Sequence, residues 1–102
     1  MKNQVVAANN AGLAPEDLAT LRESLHEQRL FRLEQLRTDV HVRPTASARM
    51  VLTDVEAALD RMDQDRYGNC HLCTRPITLR RLKIVPQARY CTRCQQVRDA
   101  GR

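Results

Sequence analysis

The chain has 102 residues, a formal net charge of +5, 28% charged residues and only one Phe, two Tyr and no Trp. So short and aromatic-poor a chain cannot enclose an enzyme-sized core, and a thin core of this kind needs a staple such as a metal, disulfides or a partner. No run of about 18 apolar residues is present to span a bilayer, and the opening MKNQVVAANNAG has no basic segment followed by a long apolar one. A cytoplasmic protein with no membrane association is expected.

The charge is unevenly placed. Residues 1–65 carry 8 basic and 11 acidic side chains, whereas residues 66–102 carry nine basic ones against Asp99 alone. A basic half of this kind suits an acidic partner surface or nucleic acid.

Residues 1–13 are small and amide-rich with no sustained periodicity, and are expected to form a mobile tail. A helix is predicted from Pro15, with Glu16 and Asp17 in the turn where negative charge suits the helix dipole. Leu18, Leu21, Leu25, Leu30, Leu33, Leu36 and Val40 then recur at mostly three- and four-residue intervals. The step of five from Leu25 to Leu30 implies a local shift of the seam. The pattern stops around Asp39 to Thr45, where Pro44 disfavours a helical Arg43.

A second helix is predicted from near Thr45 or Ser47 to about Arg66, with Ala48, Leu52, Val55, Leu59 and Met62 on one face and Gly68 placed to end it. Folding the chain back near residue 42 sets Leu36 opposite Ala48, Leu33 opposite Val51 and Leu52, Leu30 near Val55, Leu25 near Leu59 and Leu21 near Met62. The expected fold is therefore mainly α. An antiparallel helical hairpin (a coiled coil) spans 14–66 with its tip near 39–45, and a small four-cysteine zinc finger with a short C-terminal helix spans 67–102.

The zinc expectation rests on two Cys-x-x-Cys knuckles, Cys70 with Cys73 and Cys91 with Cys94, separated by 17 residues. Two residues between thiolates let both sulfurs face one ion, and two knuckles complete a tetrahedron with no open position for water. One structural Zn²⁺ follows, and an enzyme is not expected, because neither an open metal site nor a nucleophile–base pair can be assembled. A thiol-based redox pair is the competing reading of the same cysteines. His71, inside the first knuckle, is expected to face solvent, and Asp60, Asp63 and Asp65 to form a solvated face, since they lack the glycine-bearing loop of a calcium site.

From Tyr67 the sequence reads YGNCHLCTRPITLRRLKIVPQARYCTRCQ. It resembles the zinc finger of the DksA/TraR family of bacterial RNA polymerase-binding regulators through Tyr67, Gly68, Cys70, Cys73, Ile77, Arg81, Leu82, Pro86, Cys91, Cys94 and Gln95. The resemblance implies a transcriptional regulator that binds RNA polymerase, as core or holoenzyme. Its hairpin would enter the secondary channel and modulate initiation without reading DNA sequence. The family's tip often bears Asp-x-x-Asp-x-Ala, whereas Asp39-Val40-His41-Val42-Arg43-Pro44 keeps at most one of those acidic groups. Asp39, His41 and Arg43 at the tip, and Arg80, Arg81 and Lys83 on the finger, are the candidate partner-binding residues. The alternatives are a stand-alone zinc-finger nucleic-acid-binding protein and a redox sensor.

Overall fold

The computed structural model describes residues 9–38 and 46–101, within which lie α1 (Pro15–Thr38), α2 (Ala46–Asp63), α3 (Leu79–Ile84) and α4 (Thr92–Ala100). The described residues hold no β-strand, only an isolated bridge between Asn69 and Pro76. The tip candidates Asp39, His41 and Arg43 lie outside the described residues.

α1 and α2 pack along each other. Arg22 pairs with Asp63 at 2.8 Å and Arg29 with Glu56 at 3.2 Å, so advancing along α1 means retreating along α2. The hairpin is antiparallel. These side chains are 40–65% exposed, so each pair contributes at most about 1 kcal/mol and matters more for register than for stability.

The large buried apolar side chains of the seam gather at the base. Leu21, Leu25, Val55, Ala58, Leu59 and Met62 form one buried cluster there. Further out, Gln28, Arg32, Gln35 and Leu36 are the half-buried residues continuing the same stripe of α1, while Leu30 and Phe31 are each 63% exposed and Leu33 is 37% exposed. The expected pairing of Leu30 with Val55 is therefore corrected. At about 100° per residue, five residues carry Leu30 roughly 140° away from the face of Leu25. The helix stays regular and turns Leu30 outward instead of shifting its seam to keep it. Arg32 sits in the stripe with its guanidinium 5.2 Å from the Phe31 ring and donates to Gln35 Oε1 at 3.0 Å.

The C-terminus of α2 is closed by Asp65, not by the expected Gly68. Arg66 N–H donates to the Arg61 carbonyl at 2.8 Å and Asp65 N–H to the Met62 carbonyl at 3.2 Å, with Asp65 left-handed at φ 60°. This is a Schellman closure carried by an aspartate. Gly68 has another task. Its φ is +100°, and a Cβ there would stand 3.0 Å from the Cβ of Ala11.

That contact belongs to a clasp the composition of the N-terminus does not announce. Residues 9–13, expected to share a mobile tail, fold over the junction between α2 and the finger. Asn10 is 6% exposed, at φ 51°. Its Oδ1 accepts from Tyr67 N–H at 2.9 Å, its Nδ2 donates to the Met62 carbonyl at 3.3 Å, and its own N–H donates to the Asp65 carbonyl at 3.2 Å. Asparagine tolerates the left-handed region and supplies both a donor and an acceptor. Asn10→Ala should strand the buried Tyr67 N–H and place a Cβ-bearing residue without compensation at positive φ. A loss of about 2–4 kcal/mol is expected, read as a lower urea midpoint at unchanged slope.

Candidate metal centre

The finger grows out of the hairpin base. Tyr67, Cys70, Ile77 and Leu82 belong to the same buried cluster as Leu21, Leu25 and Met62. Tyr67 is fully buried and donates its hydroxyl to the Pro86 carbonyl at 2.7 Å, while Arg89 of the finger pairs with Asp54 of α2 at 2.5 Å. Gln28 of α1 donates to Gln87 at 3.5 Å. Hairpin and finger thus share one core.

The first knuckle is a tight turn. Cys70 N–H donates to the Arg75 carbonyl at 2.9 Å and Thr74 N–H to the Cys70 carbonyl at 3.0 Å, with Thr74 at φ 65°. Leu72 N–H points at Cys70 Sγ, 3.5 Å away. The second knuckle opens α4: Cys91 is its N-cap, and its Sγ accepts from Cys94 N–H at 3.4 Å. Amide donors and a helix N-terminus both favour thiolate over thiol. His71 N–H donates to the Arg89 carbonyl at 2.8 Å, which draws the two knuckle strands together.

The four sulfurs all lie within 4.8 Å of one another, and Cys73 Sγ is 3.9 Å from Cys91 Sγ. Tetrahedral zinc with bonds of about 2.3 Å sets its sulfurs about 3.8 Å apart, whereas a disulfide needs about 2.05 Å. The donor set therefore fits zinc, and all four predicted ligands are brought together. When bound, the ion supplies a fixed cross-link and no reactive position, because every coordination site is taken by protein.

Burial raises the Cys70 thiol, but backbone hydrogen bonds from Cys73, Cys91 and Leu72 outweigh it and bring its pKa to about 6. The backbone of Cys94 lowers Cys91, and hydrogen bonding to Cys91, with burial, pushes Cys94 up to about 12. Without metal the cluster is a mixture of thiol and thiolate. Arg75 and Arg93 line the cavity that exposes Cys73, Cys91 and Cys94, so cationic side chains face the thiolate charge.

The other predicted site residues separate. Arg80 and Lys83 are exposed on α3 beside Ile84, which is 75% exposed. Arg81 is half-buried and its Nε donates to the Tyr90 carbonyl at 2.9 Å, so it ties α3 to the second knuckle. His71 is exposed as expected, with its ring edge-on to Tyr90 at 6.0 Å. Asp63, assigned to a solvated face, is exposed and held by Arg22. Arg61 was not singled out by any pattern, yet it is buried, 8% exposed, and shares a cavity with Cys70 and His71 of the finger.

A family profile described as the prokaryotic dksA/traR C4-type zinc finger matches residues 65–100. The C-terminal module is a dksA/traR zinc finger. Among characterised relatives, the RNA polymerase-binding transcription factor DksA of Haemophilus influenzae is 33% identical over 51 residues, which cover 50% of this chain and 35% of that protein. The match thus spans about a third of the relative's length.

Two solved structures share the fold. One is the RNA polymerase binding protein and transcriptional regulator Dks of Chlamydia trachomatis, with a TM-score of 0.70 and 22% identity over 87% of this chain and 94% of that one. The other is transcription factor DksA2 of Pseudomonas aeruginosa, with a TM-score of 0.65 and 21% identity over 88% of each chain. A dksA/traR finger set on a helical hairpin is therefore the architecture of the described residues. None of the described helices is long and apolar enough to cross a membrane.

Proposed function

We propose that the chain is a non-enzymatic transcriptional regulator that binds RNA polymerase in the cytoplasm. In this reading the hairpin enters the secondary channel, the finger meets the channel rim, and initiation changes without sequence-specific DNA contact. The observation that carries the reading is the fusion of a dksA/traR finger to an antiparallel hairpin through one core. Such a unit presents its two ends in a fixed relation to a partner. It finds support in the Haemophilus influenzae relative, an RNA polymerase-binding transcription factor. The exposed Arg80, Lys83 and Ile84 give the finger a surface that is both basic and apolar, suited to an acidic rim.

The residues proposed for the tip are Asp39, His41 and Arg43. Zinc-loaded protein on a resin should retain core or holoenzyme polymerase at moderate salt and should not retain duplex DNA. Arg80→Glu with Lys83→Glu should weaken polymerase retention about tenfold or more, because both charges reverse against one surface. Retention of duplex with loss of polymerase would instead identify a stand-alone nucleic-acid-binding finger, whose affinity would fall steeply with salt.

A further inference from the structure

Among the described residues Arg61 is the only charged side chain that is buried. Its guanidinium makes no hydrogen bond and no ion pair with any of them, and its nitrogens reach solvent, since Arg32 Nε is the only enclosed side-chain polar atom without a partner among the described residues. It opens on a surface cavity of about 660 Å³ between the end of α2 and the first knuckle. Arg66, Asn69 and His71 line the same cavity. Burial and the neighbouring charge of Arg89 press the Arg61 pKa below its ordinary value; Asp54 opposes this and Arg66 adds to it. Asp54 is already engaged by Arg89, and Asp65 at the cavity rim is exposed and forms no ion pair with either Arg61 or Arg66.

A largely covered guanidinium that opens on a cavity beside another cation, with no acceptor from the protein, is suited to an anion. We propose that this cavity binds a compact phosphate group, with Arg61 as its floor and Arg66, the Asn69 amide and the His71 ring as its walls. Phosphate fits better than carboxylate because the lining offers two arginines, an amide and an imidazole, with Arg66 now held by Gln64 Oε1, while a planar carboxylate is satisfied by one arginine fork. Cys70 also lines the cavity, so the zinc-thiolate charge is a rival partner for Arg61. Against that, Arg75 and Arg93 already face the exposed thiolates from the other side. The proposal does not depend on polymerase binding.

The test uses the zinc-loaded full chain with inorganic pyrophosphate as probe, at about 0.15 M salt to screen diffuse attraction. Backbone and arginine Nε resonances of residues 61, 66 and 69–74 should shift and saturate below about 1 mM. Arg61→Gln should weaken binding about tenfold or more while keeping one zinc per chain, Arg66→Gln should weaken it severalfold, and Arg80→Gln should leave it within about twofold. Arg66 is exposed, so its variant remains informative if Arg61→Gln fails to fold. The proposal is overturned by shifts that do not saturate, or by Arg80→Gln weakening binding as much as Arg66→Gln does. It is equally overturned if Arg61→Gln loses zinc while its pyrophosphate affinity is unchanged, which would make Arg61 a counter-charge for the metal. Displacement of pyrophosphate by duplex DNA would assign the cavity to backbone phosphate and sink the small-anion assignment.

Discussion

Removal of zinc is expected to unfold residues 67–100 and to take much of the hairpin's stability with them. α4 contains no buried residue and α3 contains only Leu82, so neither helix has the apolar area to fold by itself. What holds α4 in place is Cys91 and Cys94, together with the Arg98 guanidinium 4.5 Å from the Tyr90 ring. Zinc binding in finger peptides is worth roughly 10–16 kcal/mol apparent, comparable to the roughly 5–15 kcal/mol by which a whole domain is stable. Because Tyr67, Cys70, Ile77 and Leu82 share a core with Leu21 and Leu25, the loss cannot stay confined to the finger. A strong chelator under reducing conditions should therefore abolish amide protection across 70–100 and lower the melting temperature of the remaining helix. Cys91→Ser should reproduce this without chelator, with a zinc content well below one ion per chain. Unchanged protection at 92–100 after complete metal removal would refute a metal-built finger.

The parts of this structure that were legible in the sequence are those set by local rules. Pro15 with Glu16 and Asp17 marks the start of α1, and the structure begins that helix at Pro15. Two Cys-x-x-Cys knuckles identify the metal ligands because the spacing itself imposes the geometry. Periodicity also pairs α1 with α2, since Leu21, Leu25, Val55, Leu59 and Met62 recur at helical intervals and meet in the core. It misleads beyond Leu25, where counting leucines follows residue type and the helix follows angle. Gln28 and Arg32 take the half-buried stripe while Leu30 faces out.

Asn10 and Arg61 were illegible for a different reason. Asn10 is held by chain more than 50 residues away, and Arg61 shares a cavity with Cys70 and His71 of the finger. No local pattern records such contacts. Gly68 shows the same limit: a helix stop was the natural reading, but its positive φ and its approach to Ala11 serve the clasp.

Replacing Tyr67 should be the most damaging single substitution outside the cysteines. Its ring is fully buried where hairpin, clasp and finger meet: its N–H donates to Asn10, its hydroxyl to the Pro86 carbonyl, and its ring belongs to the shared core. Burial raises the hydroxyl pKa, so the group stays protonated and keeps donating throughout the ordinary pH range. Tyr67→Phe keeps the ring and leaves the Pro86 carbonyl without its donor, which should cost about 1–2 kcal/mol. Tyr67→Ala also opens a cavity at the junction and should cost about 3–5 kcal/mol. For a domain of this size each kcal/mol moves the melting temperature by about 4–8 °C, so the alanine variant should melt well over 10 °C lower than the parent and the phenylalanine variant by less than half that shift. Measured with zinc in excess, the two variants separate ring from hydroxyl. Equal losses would mean that the hydrogen bond, and not the packing, joins the two halves; a negligible loss for Tyr67→Ala would mean that zinc alone carries the junction. The expected order places the weld in the ring, with zinc holding the far side of the finger and Tyr67 holding the near side to the hairpin.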